Sequence, residues 1–323
     1  MVGFGLLGWF LWNLHWVELL QILGHISWGW LALSAALMLL DYVLHALRWW
    51  ILIRHVDHRV PLSLVVSATV IGTGMNTLLP FRAGALIRPG VISARRQLSY
   101  ATVLATTLAE SICDLFGLLG ILSWMVWYLP ASDPGSALEQ VRLAGKVGIV
   151  AATGLLVGLA VFRSRRARWV AEGLARRLPP AVASRVFLWT GQFATGVDVI
   201  AAPHRLAGGL LVTVGVWGSW ALALLAAFEA IGVDLPVAAA VLLEAILAVE
   251  MMIPQAPGFI GGFQHFTVQT LAVFDVHGAP AEAVALVFWA ICFVPVTVWA
   301  VIEGWMQGFG LVTTQRDVTE ATT

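Results

Sequence analysis

The chain has 323 residues, of which 60% are apolar and only 11% charged, and its mean hydropathy is +0.88. Soluble domains run at about 45–50% apolar and about 25% charged, so the composition excludes a cytosolic enzyme and a nucleic-acid binder and leaves a multi-pass membrane protein. The formal charge is zero, but of 18 basic residues only Lys146 is lysine, and the arginines fall into a few clusters.

Residues 1–14 are apolar and lack a basic leader and a small-residue cleavage site, which predicts a short retained span rather than a signal peptide. Residues 28–53 predict a full span closed by Arg48-Trp49-Trp50 and then Arg54, the pattern of an aromatic and basic interface anchor. Residues 63–79 are apolar but short, and they break at Pro80 into an arginine-bearing loop that runs to Arg96. Spans follow at 99–129 and 141–162. Residues 163–205 are amphipathic, with Trp169, Leu174, Leu178, Val182, Val186 and Trp189 among arginines. They predict an interfacial linker helix, with a partner-binding site as the other reading. A further span covers 206–231. Residues 237–253 repeat the short, broken pattern, interrupted by Pro254, Pro257, Gly258, Gly261 and Gly262 before an apolar piece that ends at Phe274. The last span covers 281–306.

Helix-breaking backbone at membrane depth survives only where protein buries it or water reaches it, and paired broken segments mark transporter binding sites. If both broken stretches return to the side they entered, 15 arginines share one face. The opposite face keeps Arg142 and the acidic loop residues Asp133, Glu139, Asp234, Asp275 and Glu282. That asymmetry fits the positive-inside rule. The expected fold is therefore all-α: a polytopic membrane helix bundle with about six full spans and two re-entrant broken helices, its halves arranged as inverted repeats. It forms a single integral membrane domain over 1–323. The halves are 28–128 and 206–307, joined by a linking span and basic linker at 129–205, and 308–323 is a cytoplasmic tail.

Ionisable groups in membrane segments are functional candidates because they are expensive to bury. Asp41, His45 and Arg48 share one helical face, either as a self-neutralised anchor or as part of a substrate site. Glu110 and Asp114 are four residues apart and would repel unless a cation lies between them, so Arg82 and Arg88 are expected to pair with them across the break. That network is either structural or a gate for a lipid headgroup, because arginine forks match phosphate oxygens. Asn76 lies on the same broken segment. In the second half Glu244 and Glu250 flank the break, with Glu229 and Glu303 on the adjoining spans. Gly258, Gly261 and Gly262 serve either helix packing or an anion contact. Gln264 and His265 open the next helix, His265 reading as a satisfied core residue or a proton relay. Gly154/Gly158 and Gly304/Gly308 have the spacing of close helix contacts. Cys113 and Cys292 read as core residues. No metal-ligand cluster, nucleophile elbow or nucleotide loop is visible. The chain is expected to be no enzyme, to use no cofactor and no metal, and to draw on downhill or ion-coupled movement.

The run Leu79-Pro80-Phe81-Arg82-Ala83-Gly84-Ala85-Leu86-Ile87-Arg88 resembles the Pro-x-Arg-x-Gly-x-x-x-Arg loop of the flippase-like membrane family named after lysylphosphatidylglycerol synthase. Glu110-x-x-x-Asp114, the stretch from Ala256 to Gln264 and Arg48-Trp49 are similar to that family's other motifs. Ala85, Ser111 and Gln264 stand where many or some members carry Glu, Arg and Glu. The resemblance implies the family's membrane half, which moves a lipid between leaflets; aminoacyl transfer belongs to a separate soluble domain in bifunctional members. The expected substrate is an anionic or aminoacylated lipid, or a polyprenyl- or hopanoid-type one. The expected location is a prokaryotic cytoplasmic membrane, with basic loops and C-terminus inside. The alternatives are a scaffold or accessory subunit of a lipid-synthesis enzyme and an intramembrane lipid-modifying enzyme that uses the Glu110/Asp114 carboxylate pair. The expected partners are a membrane lipid and a lipid-modifying synthase, no nucleic acid is expected, and a second copy of the chain is an allowed partner.

Overall fold

A computed structural model describes residues 14–79, 82–128, 202–252 and 257–320, with helical positions 146, 150, 153 and 154 between them. The described residues form helices and no strand. The first is α1 (Trp16–Gly24), followed by α2 (Trp28–Ile53), α3 (Leu62–Leu78), α4 (Gly84–Arg96) and α5 (Tyr100–Tyr128). After the linker come α6 (Pro203–Ile231), α7 (Val237–Met252), a 3-10 turn (Pro257–Phe259), α8 (Gly262–Ala272) and α9 (Ala279–Glu320). Four helices, α2, α5, α6 and α9, are long and apolar enough to cross a membrane. The expected spans at 1–14 and 141–162 lie outside the described residues apart from Leu14 and the isolated helical positions, as does the amphipathic stretch up to 201.

Local chemistry explains where these helices stop. Pro at the first turn of α6 needs no backbone donor there, and Gly232 ends the helix in the left-handed conformation at φ 80°, its N–H reaching Phe228 and Glu229 carbonyls. Gln97 ends α4 in the same conformation at φ 54°. The N–H of Ser27 donates to the carbonyl of Ala230, joining the start of α2 to the end of α6. Those two helices share the most extensive packing in the molecule.

Each half has the same order: a long helix, a broken pair, a long helix. The contacts are exchanged between halves. α2 packs on α6, the first broken pair packs through α3 on α9, and the second packs through α7 on α5. Between them lies an apolar core centred on Phe228, Phe263 and Phe288, with the Phe263 ring edge-on to Phe293 at 5.7 Å. The outward faces carry Trp28, Leu211, Val214 and Trp305, all more than two-thirds exposed. So much outward apolar surface is what lipid contact requires and water would penalise.

Two expectations change. Arg48 and Trp49 are 0% exposed, so they are not an interface anchor; α2 turns that face onto α5 and α6. Trp50 and Arg54 are the stacked pair at the helix end, 4.5 Å from guanidinium to ring centre. Gly304 has nothing within 4 Å of where a side chain would begin among the described residues, so it marks no close helix contact there, and the partner Gly158 of Gly154 lies outside the described residues. The close contacts fall at Gly72, Gly74, Gly84 and Gly117 instead.

Candidate functional site

The first break positions its residues through two glycines. A Cβ on Gly84 would lie 1.9 Å from the carbonyl oxygen of Gly72 and 2.7 Å from the backbone nitrogen of Asn76. A Cβ on Gly72 would lie 2.7 Å from that of Arg88. Only glycine allows α4 to fold back so closely on α3. Asn76 Oδ1 accepts the N–H of Ala85 at 3.2 Å, satisfying one of the orphan donors at the start of α4. Arg82 turns the corner at φ 55°, in the left-handed region that side chains rarely adopt. At the far end of α4, Arg96 grips Asp57 at 2.7 Å and 3.0 Å and ties the second arm to the loop after α2. Burial alone would raise the Asp57 carboxyl, but the N–H of Arg59 and the Arg96 guanidinium hold it below the usual carboxylate range.

The second break uses its glycines differently. Gly258 (φ 71°) and Gly261 (φ 94°) take conformations that side chains disfavour. The Gly258 carbonyl accepts Trp289 Nε1 at 2.8 Å, and the Gly261 N–H donates to Gln264 Oε1 at 2.7 Å. Gln264 and Gly262 therefore open α8, and His265 lies edge-on to Phe266 at 5.5 Å. The side chain of Pro257 is partly buried; Pro80 and Pro254 lie outside the described residues.

The two breaks meet. Gly258 comes against Thr77 at the end of α3, and Arg82 Nη1 donates to the carbonyl of Met251 on α7 at 2.8 Å. Arg82 was expected to pair with a carboxylate, but it makes no ion pair among the described residues. Arg88 does pair as expected, holding both oxygens of Glu110 at 2.9 Å and 3.3 Å. Its guanidinium lies 4.1 Å from the centre of the Trp49 ring, whose Nε1 donates to Thr106 Oγ1.

Arg48 is the cation that stands between Glu110 and Asp114. It reaches Asp114 at 2.6 Å, Glu110 at 3.2 Å, Thr213 Oγ1 at 3.2 Å and His45 Nδ1 at 2.9 Å. An arginine only donates, so His45 accepts at Nδ1 and carries its hydrogen on Nε2, which lies 3.7 Å from Asp41. Asp41 also accepts the Ser219 hydroxyl at 3.3 Å. The Asp41–His45–Arg48 face is thus both satisfied along its own helix and joined to the carboxylate pair on α5.

These groups wall a cavity of about 670 Å³. Its lining combines the charged groups Asp41, His45, Arg82, Arg88, Glu110 and Asp114 with the apolar side chains of Trp217, Met251, Phe259 and Phe293. Glu244 of α7 also lines it, is 0% exposed, and has no hydrogen-bond partner on either carboxylate oxygen among the described residues. Glu250 is buried near the end of α7 and does not line the cavity. Glu229 faces outward, and Glu303 accepts the Ser67 hydroxyl at 2.7 Å, a tie between α9 and α3. Sequence reasoning names Glu244 only as a neighbour of the break and misses Thr213 and Trp217 altogether. Neither belongs to a motif: Thr213 is found from its bond with Arg48 and Trp217 by tracing the cavity wall. Both cysteines are buried thiols. Among the described residues no group of three or more His, Cys, Asp or Glu is arranged to hold a metal ion.

Comparison with known proteins gives two matches. A family model described as "Lysylphosphatidylglycerol synthase TM region" matches residues 1–300. The protein named glycosyltransferase AglD, from Haloferax volcanii, is 25% identical over 299 residues, which cover 83% of this chain and 47% of the relative. The chain thus spans about half the length of that curated relative. No solved structure matches it significantly.

Proposed function

The chain belongs to the family of the lysylphosphatidylglycerol synthase TM region, and from that premise we propose that it carries a lipid with an anionic headgroup between the leaflets of a prokaryotic cytoplasmic membrane. In this reading the two broken pairs are re-entrant hairpins that enter from opposite faces. The halves are inverted repeats, the long helices and the stretches at 1–14 and 141–162 are full spans, and the basic loops face the cytoplasm. The protein is a carrier without enzymatic activity or cofactor. Its partners are the lipid and a lipid-modifying synthase.

The observation that supports this reading best is the cavity of about 670 Å³ where the two breaks meet, lined by charged groups together with aromatic and aliphatic side chains. Its size suits a headgroup and the first part of the chains, since pockets of roughly 300–1,000 Å³ enclose ligands of that scale. Arg88 is already neutralised by Glu110, whereas Arg82 spends its charge on a carbonyl dipole. Arg82 is therefore the guanidinium with charge to offer a phosphate, with Arg88 next to it. The same site accommodates aminoacylated, polyprenyl-linked and hopanoid-type lipids whose headgroup carries an anion.

Purified protein in vesicles with a fluorescent phosphatidylglycerol tests this by the fraction of probe that an impermeant quencher reaches. The wild type should expose the probe faster than protein-free vesicles. Arg82→Ala should slow exposure by about tenfold or more, the worth of a charge-assisted contact, with an unchanged melting temperature. Full activity in a folded Arg82→Ala protein removes Arg82 from the headgroup role. A second reading, a membrane scaffold that hands lipid to a synthase, is favoured by the relative's name. Unaltered leaflet exposure by the wild type across several lipids would select it.

A further inference from the structure

We propose that Glu244 is the carboxyl that takes up one proton as an anionic headgroup enters the cavity, so that lipid and proton cross together. This rests on the lipid-carrying reading above.

Four carboxyl groups line the cavity, and three are occupied. Glu110 is held by Arg48 and Arg88, and Asp114 by Arg48 at 2.6 Å. Asp41 accepts from Ser219 and faces His45. Protonating Glu110 would leave Arg88 without its counter-ion, and protonating Asp114 would break its 2.6 Å contact with the buried Arg48. Glu244 has no such tie. It is 0% exposed, lines the cavity, and neither oxygen has a hydrogen-bond partner among the described residues. A proton can join or leave it without breaking any contact.

The other charged and titratable groups on the wall set what that proton does. From α2 come Asp41, Tyr42 and His45, and from α5 come Glu110 and Asp114. The first broken pair adds Arg82 and Arg88, α9 adds Cys292, and α6 and α8 add none. Asp41 lines the same cavity as Glu244. With Glu244 ionised, the chamber presents an unpaired negative charge to an incoming phosphate. With Glu244 protonated, that charge is removed and the field of Arg82 is left to act. Because one proton accompanies one negative headgroup, the combined step moves no net charge. It should respond to a pH difference and not to voltage.

The test uses the full chain in sealed vesicles with a fluorescent phosphatidylglycerol. A pH step across the wild-type vesicles should drive the probe toward the leaflet that faces the alkaline side, by up to about tenfold in leaflet ratio per pH unit. A potassium diffusion potential or a sodium gradient should drive no asymmetry. Glu244→Gln should lose the response to pH, and Glu244→Asp should keep it. A wild type driven by voltage or sodium, or one that equilibrates the probe regardless of pH, overturns the proposal while leaving lipid carriage intact. A folded Glu244→Gln protein that still follows the pH step also overturns it. Wild-type vesicles that move no lipid at all sink both readings together. The wild-type arms decide the matter even where a variant fails to fold.

Discussion

Arg48 has no exposed surface and reaches two carboxylates, a hydroxyl and an imidazole at once. A buried ion cluster of this kind contributes little net stability compared with an apolar replacement, but it is severely destabilising when broken on one side. Arg48→Met leaves Asp114 without a cation and Glu110 with Arg88 alone. It should lower stability by about 3–5 kcal/mol, read as a fall in melting temperature in detergent. Adding Asp114→Asn should recover part of that loss, and simple additivity of the two changes would show that the pair is not coupled. The sequence makes the Asp41–His45–Arg48 face legible, because helical spacing alone puts those residues together. It does not reveal that Arg48 turns to Glu110, 62 residues along the chain, because that choice depends on which helices pack side by side. The same blindness explains why Arg82 was matched to a carboxylate: charge predicts that it needs an acceptor, not that a helix-end carbonyl will supply it.

At the scale of the helices, the breaks are the most legible feature. Proline and glycine in the middle of apolar runs announce them, and they occur within a residue or two of where composition indicates. Glycine spacing was a poorer guide. A GxxxG pair says that two small residues share a face, but not that another helix comes to meet it. Gly304 lies in the open, whereas Gly84, which belongs to no such pair, meets the backbone of Gly72. Gly84→Ala should therefore force α3 and α4 apart and destabilise by about 1–3 kcal/mol, the usual effect of overpacking, and lipid movement should fall with it. Gly304→Ala should be neutral or slightly stabilising, as expected for a helical glycine with open space around it, by up to about 1 kcal/mol. Thermal melts of both variants side by side check this; equal losses would mean that close contact is not what distinguishes the two positions.

Across the whole molecule, the exchanged contacts between halves leave α1 as the element with no counterpart among the described residues. It is fastened to α9 by His15, whose Nδ1 lies 2.9 Å from Glu282 and whose N–H donates to the same carboxylate at 3.0 Å. The hydrogen bond and the charge of Glu282 raise the His15 imidazole above its ordinary 6.5. A raised imidazole contributes its stabilisation in full below 6.5 and loses it as pH climbs through the higher folded-state value. The difference in melting temperature between wild type and His15→Gln should thus be present in mildly acidic buffer and vanish in alkaline buffer. A difference that grows with pH would assign the contact the wrong sign. This strap could not be read from the chain, since His15 and Glu282 stand 267 residues apart.

The hydrogen bond from Arg82 to the Met251 carbonyl bears on how such a machine could turn over. α3 and α4 approach so closely at Gly72 and Gly84 that no side chain fits between them, whereas the first break is tied to the second through the Arg82 side chain. A single bond from a charged donor to a neutral acceptor holds with about 1.5–3 kcal/mol. Thermal agitation alone would unfasten it in roughly one molecule in ten to one in a hundred and fifty at any instant. A phosphate that offers the same guanidinium a better acceptor would compete directly with the latch, so the cargo itself would be the key that opens the door.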